Sequence, residues 1–111
     1  MPLYMLQGSY TPESWKSQVS NPKNRVKQVR AMAKDSGVEI KEFWYAFGES
    51  DFFILCEATN NEAMASFAIA AATRRTVSGV TTTVLMSADE GLAAIQGAGI
   101  ITSQASWTDN Q

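Results

Sequence analysis

Val38-Glu39-Ile40-Lys41-Glu42-Phe43-Trp44-Tyr45-Ala46-Phe47, then Gly48-Glu49-Ser50, then Asp51-Phe52-Phe53-Ile54-Leu55-Cys56-Glu57-Ala58, is the stretch on which the fold turns. Both long runs are dense in β-branched and aromatic residues. The three residues between them make a glycine-containing loop of hairpin length, so the runs pair as antiparallel strands. An antiparallel sheet with one wet face alternates apolar and polar side chains, yet Phe43 to Phe47 and Phe52 to Cys56 are apolar at successive positions. Both faces of this hairpin therefore need a cover.

On the N-terminal side, Gly37 supplies a helix stop, preceded by an apolar stripe of Val26, Val29, Met32 and Ala33. Pro22 separates this stripe from an earlier short helix on which Trp15 and Val19 are i,i+4 partners. That helix opens at Thr11-Pro12, a cap followed by a first-turn proline, and Leu3 to Tyr10 reads as the strand before it. On the C-terminal side, Thr59-Asn60-Asn61-Glu62 has the spacing of a capping box and predicts an alanine-rich helix over Asn60 to Arg74. Val77 to Met86 reads as a fourth strand. Ser87-Ala88-Asp89-Glu90 repeats the capping-box pattern and predicts a short last helix. Past Gly97-Ala98-Gly99 the chain turns polar apart from Ile100-Ile101 and Trp107, which divides it into a domain over residues 1–98 and a C-terminal arm over 99–111.

The order β-α-β-β-α-β defines an α+β fold of the ferredoxin-like kind, a four-stranded antiparallel sheet with both long helices on one face. The other face would expose more than a few hundred Å2 of aromatic surface. Its simplest cover is a second copy of the sheet across a two-fold axis, which makes the chain a homodimer or part of a higher assembly.

Composition narrows the chemistry. The 111 residues are 45% apolar and 18% charged, the balance of one globular domain that closes a core without staples. A formal net charge of -2 gives no bulk attraction for nucleic acid or an anionic membrane. There is no histidine, which excludes His-based triads, His-ligated metal sites and proximal haem ligation, and no metal or cofactor is implied. The single cysteine, Cys56, lies in an apolar run and reads as a buried inert thiol. The N-terminus lacks the features of a signal peptide and no apolar run is long enough to span a bilayer, so the expected location is cytoplasmic.

Three groups of residues carry candidate chemistry. Glu49 and Asp51 place two carboxylates at the end of a surface bearing Trp44, Tyr45 and Phe47; a desolvated member of the pair would act as acid or base, whereas solvated acids bonding turn amides are the plainer reading. Lys23, Lys27, Arg30 and Lys34 fall on one helical stripe that could dock an anion, but a solvated outer face explains the same spacing. The helix of Met64, Phe67, Ile69 and Ala70-Ala71-Ala72 is apolar nearly all round, so it is expected to be buried on more than one side; its small alanines near Trp44 and Phe53 could leave a void for an apolar molecule, with Tyr4, Tyr10 or Tyr45 as polar contacts.

Phe47-Gly48-Glu49-Ser50-Asp51, set between two such strands after an N-terminal Met-Pro-Leu-Tyr, resembles the GYD-domain family over about Met1 to Ala94. Gly48 and Asp51 match the Gly/Tyr/Asp signature, and Ser50 stands where the tyrosine is usual. The resemblance implies a dimeric α+β barrel, a group that includes cofactor-free monooxygenases of aromatic polyketides, isomerases of ring lactones and haem-handling proteins.

Two functions from different classes follow. The first is a dimeric domain that binds an apolar or aromatic metabolite in a cleft between helices and sheet, with Tyr4, Trp44, Phe47 and Phe67 as ligand contacts. Were it to turn the ligand over by isomerisation, cyclisation or cofactor-free oxygenation, Glu49 or Asp51 would be the acid-base group and Tyr45 or Tyr4 a hydrogen-bond donor. The second is a non-catalytic oligomerisation or adaptor module.

Overall fold

The computed structural model describes residues 1–104. Its elements are β1 (Leu3–Tyr10), α1 (Pro12–Ser20), α2 (Val26–Asp35), β2 (Val38–Tyr45), β3 (Phe52–Ala58), α3 (Asn61–Ala72), β4 (Val77–Leu85) and α4 (Ala88–Thr102). The strands form one antiparallel sheet in the order β2-β3-β1-β4, the ferredoxin-like arrangement expected from the element order.

Local chemistry sets the helix ends. The Thr11 Oγ1 accepts from the Ser14 N–H at 3.1 Å with Pro12 in the first turn, as the Thr-Pro pair predicts. Gly37, at φ +77°, ends α2 and turns into β2, a left-handed conformation that side chains with a Cβ rarely adopt. At α4 the capping box forms in full: the Ser87 N–H donates to Glu90 Oε1 at 2.9 Å, and the Glu90 N–H donates to Ser87 Oγ at 3.1 Å. At α3 the cap is Asn60, whose Oδ1 accepts from the Ala63 N–H at 2.9 Å, in place of the Thr59 expected from the sequence. Two adjacent residues can each cap, and asparagine is the better of the two.

The core lies between the sheet and α1–α3. Tyr4 and Leu6 of β1, Val38 and Ile40 of β2, and Phe52, Ile54, Cys56 and Ala58 of β3 meet Ala33 of α2 and Met64 and Phe67 of α3. Only Met64 and Phe67 of α3 are buried, and Ile69 is exposed, so this helix packs on one side only, contrary to the expectation from its all-apolar sequence. Alanine adds too little apolar area to force a second buried face.

Register decides which aromatics face the helices. In β2 the pairing shifts between Ile40 and Glu42, one extra residue against β3. Without that bulge Trp44 would follow Val38 and Ile40 inward. With it, Phe43 packs on the core and Trp44, 46% exposed, pairs with Phe53 on the opposite face. That opposite face carries Leu3, Met5 and Gln7 of β1, Phe53, Leu55 and Glu57 of β3, and Leu85, Thr83 and Thr81 of β4 in register. None of α1–α3 lies on it. The last helix, α4, runs through Gly97 and Gly99 to Thr102, longer than the sequence pattern indicates, and none of its residues is buried. Trp107 and the rest of the expected arm beyond Gln104 lie outside the described residues.

Candidate functional site

A cleft of ≈ 210 Å3 opens between α1, α2 and α3 above and the sheet below. Chain geometry makes room for it: α1 ends at Ser20, Pro22 follows, and the chain turns before α2, so no helix covers the C-terminal end of β1 continuously. The floor is aromatic. Tyr10 lies 5.1 Å from Phe52 between ring centroids, and Phe52 is 6.3 Å from Phe43 with only 17° between planes. Trp15 meets Tyr10 edge-on at 5.1 Å, and Tyr45 closes the group at 5.6 Å from Phe43 and 6.2 Å from Tyr10. Val29 and Met32 of α2 and Phe67 and Ala71 of α3 supply the apolar walls. Polar ones come from Ser14, Ser17 and Gln18 of α1, Gln28 of α2, Arg25 before it, and Arg74 and Thr76 after α3.

Tyr10 is the polar centre of the floor. Burial pushes its phenol far above the ordinary range, and the neighbouring Tyr45 and the Asp51 carboxylate act in the same direction while Arg25 opposes them. It therefore stays protonated and works as a hydrogen-bonding hydroxyl. Tyr45 donates from its hydroxyl to Gln18 Oε1 at 3.2 Å, tying β2 to α1 beside the cleft.

The residues singled out from sequence are dispersed. Phe67 lines the cleft and Tyr45 stands next to it. Asp51 sits behind Tyr10: its Oδ2 accepts from the Tyr10 N–H at 2.9 Å, and its own N–H donates to the Gly8 carbonyl at 2.7 Å, so it joins the hairpin to the end of β1. Glu49 is exposed on the hairpin loop, where its carbonyl accepts from the Ser9 hydroxyl at 3.2 Å. Ser50, at the position where the signature tyrosine is usual, accepts from Gln7 Nε2 at 3.0 Å. Tyr4 is buried away from the cleft lining, its hydroxyl donating to Asn61 Oδ1 at 2.6 Å. Trp44 lies on the opposite sheet face, and Phe47 is fully exposed beyond the end of β2. The void is accordingly beside Phe43, Phe52 and Ala71, not beside Trp44 and Phe53.

Arg25, Phe43 and Phe52 are the functional candidates that sequence reasoning passed over. Arg25 carried a signal: it is spaced i, i+4, i+7 with Val29 and Met32, a charge on the apolar stripe and out of phase with Lys23, Lys27, Arg30 and Lys34. Of that basic set, Arg30 donates to the Ile40 carbonyl at 2.9 Å, and the three lysines are exposed. Cys56 is buried and its thiol is pushed up to about 12 by burial, in keeping with an inert core residue. Among the described residues no three His, Cys, Asp or Glu side chains converge as a metal site, and no helix is long and apolar enough to cross a membrane.

No curated protein matches the chain. Among solved structures, the crystal structure of FFRP-DM1 aligns with a TM-score of 0.50 at 12% sequence identity, over 78% of this chain and 100% of that one, a likeness that speaks for the fold alone. The family model of the GYD domain matches residues 4–95, a span that takes in the four strands apart from Leu3 and every residue lining the cleft, and the chain therefore belongs to the GYD-domain family.

Proposed function

We propose that the protein is a homodimeric binding domain that holds a small apolar or aromatic metabolite in the cleft between helices and sheet. The observation that carries this reading is the cleft itself: an aromatic floor of Tyr10, Phe43 and Phe52 under apolar walls, with a few polar groups, is the usual make-up of a small-molecule site. The size agrees. A dry cavity of about 150 Å3 admits benzene, so ≈ 210 Å3 takes one ring with a short substituent.

The dimer rests on the uncovered sheet face. Four strands at ~4.8 Å spacing and ~25 Å length give the face a footprint of roughly 480 Å2, over half of the ~800 Å2 that each partner of a standard interface buries. The face has an apolar centre of Met5, Phe53 and Leu55 with Glu57 and Thr83 toward its margins, and α4 exposes Leu92, Ile95, Ile100 and Ile101. A second copy offers the same surface, self-complementary across a two-fold axis.

Filling the cleft tests the binding reading. Ala71→Phe places a ring where the ligand would sit, and titration of a panel of benzene-ring and indole-ring compounds by calorimetry compares it with the unaltered protein. Binding in the parent that is lost in Ala71→Phe supports the cleft; unaltered binding in the variant moves the site elsewhere. Phe53→Asp puts a charge in the middle of the sheet face and converts a dimer to a monomer in analytical ultracentrifugation. A monomeric parent refutes the dimer.

A further inference from the structure

Two arginines line the cleft and no acid does. Neither Arg25 nor Arg74 has a carboxylate within ion-pair distance among the described residues, where the ion pairs join Lys41 to Glu39 and Glu57. Arg25 donates through Nη2 to the Asn21 carbonyl at 3.2 Å, but its Nε is buried with no hydrogen-bond partner among the described residues. A guanidinium keeps its charge at any ordinary pH, and a buried donor left unsatisfied is costly. Arg74 directs Nη1 at the Met32 sulfur, a weak acceptor for a full cation. The other polar side chains on the wall, Ser14, Ser17, Gln18, Gln28 and Thr76, are neutral, and the Tyr10 hydroxyl stays protonated. Asp51, whose field reaches Tyr10, has its carboxylate engaged by the Tyr10 N–H.

We propose that the cleft selects a small aromatic carboxylate, its ring on the Tyr10, Phe43 and Phe52 floor and its carboxylate on Arg25, with Arg74 adding positive field. The inference rests on the binding reading above and adds the ligand's charge. Arginine's planar fork matches a carboxylate in two parallel hydrogen bonds, and neither cleft arginine has a carboxylate among the described residues to neutralise it. Size favours a carboxylate over a bulkier anion: the ≈ 210 Å3 cleft exceeds a cavity of about 150 Å3 that admits benzene by little more than a carboxylate and one or two carbons.

Matched acid and amide probes test this on the full chain: benzoate against benzamide, and 3-phenylpropanoate against 3-phenylpropanamide, by isothermal titration calorimetry at pH 7. The acids are expected to bind at least about tenfold more tightly than their amides, 1.4 kcal/mol by conversion. Arg25→Gln removes most of that preference, Arg25→Lys retains part of it, and Lys27→Gln, at an exposed lysine of α2, changes nothing. The comparison within the unaltered protein needs no variant and stands if Arg25→Gln does not fold. Equal affinity for acid and amide overturns the carboxylate assignment and leaves the apolar cleft intact. Loss of acid binding in Lys27→Gln to the same extent as in Arg25→Gln overturns it as bulk attraction. Failure of every probe to bind overturns both readings.

Discussion

Asp51 separates a structural carboxylate from a chemical one, and its replacement has a calculable result. Its Oδ2 accepts from the Tyr10 N–H at 2.9 Å in a part-buried position, where β1 ends and the cleft floor begins. A hydrogen bond to a charged group is worth about 1.5–3 kcal/mol, and partial exposure puts this one near the lower end. Asp51→Ala leaves the Tyr10 amide without that acceptor and is expected to cost about 1.5 kcal/mol. For a domain of this size each kcal/mol moves Tm by about 4 °C, so Asp51→Ala melts about 6 °C below the parent. Asp51→Asn keeps a neutral acceptor of the same reach, loses about 0.5 kcal/mol and melts about 2 °C lower. Neither change touches the backbone bonds from Ala46 N–H to the Asp51 carbonyl and from Asp51 N–H to the Gly8 carbonyl.

The assay is thermal unfolding followed by circular dichroism at one fixed protein concentration, because the melting of any self-associating protein depends on concentration. The order parent, Asn, Ala is the test. Asp51→Ala melting within about 1 °C of the parent, the range of an ordinary surface change, refutes the positioning role. An equal loss in both variants refutes it as well, since then the charge and not the acceptor matters.

Three further outcomes follow from other parts of the fold. A Cβ at Gly8 would overlap the Gly79 carbonyl oxygen and the Phe52 ring, so Gly8→Ala is expected to lose about 2–3 kcal/mol in urea unfolding, the upper part of the range for overpacking because one neighbour is backbone. Glu90 has its pKa lowered by the Ser87 backbone and hydroxyl, so its contribution to the α4 cap is present above the unfolded carboxyl pKa and is lost as pH falls through the lower folded value; helical ellipticity should drop across that acidic window, and Glu90→Gln should flatten the profile. Cys56, buried with its thiol raised to about 12, should react with an aromatic disulfide reagent only as fast as the chain unfolds, whereas rapid native labelling would contradict its burial.

Much of the fold was legible because its signals are local. Thr11-Pro12, Gly37 and Ser87 to Glu90 each act on the backbone within one helical turn, and each takes the role its residue type implies. The aromatic density on either side of Gly48-Glu49-Ser50 likewise marks a hairpin with apolar side chains on both faces, and Phe53 and Leu55 stand on the face that α1–α3 leave bare. The misreadings are equally local: Thr59 competes with Asn60 for one cap, and alanine counts as apolar in a pattern while contributing little to burial.

The cleft was harder to read because it depends on parity. Side chains in a strand alternate, so a single extra residue between Ile40 and Glu42 exchanges the whole set beyond it: Phe43 turns toward the helices and Trp44 away. Nothing in Lys41-Glu42 announces a bulge, and an aromatic on every position from Phe43 to Tyr45 hides the exchange, since either parity fills the inner face with a ring. With Trp44, Phe53 and Leu55 on the face that α1–α3 leave bare, Phe43 and Phe52 floor the cleft, and the bulge is what divides one aromatic run between the two faces. Deleting Lys41 would remove the extra residue and leave Ile40, Glu42, Phe43 and Trp44 in unbroken alternation opposite Cys56, Leu55, Ile54 and Phe53, so a protein so altered should keep its sheet, with Phe43 still under the cleft and Trp44 still on the bare face; an exchange of the two faces would refute the assignment of the bulge.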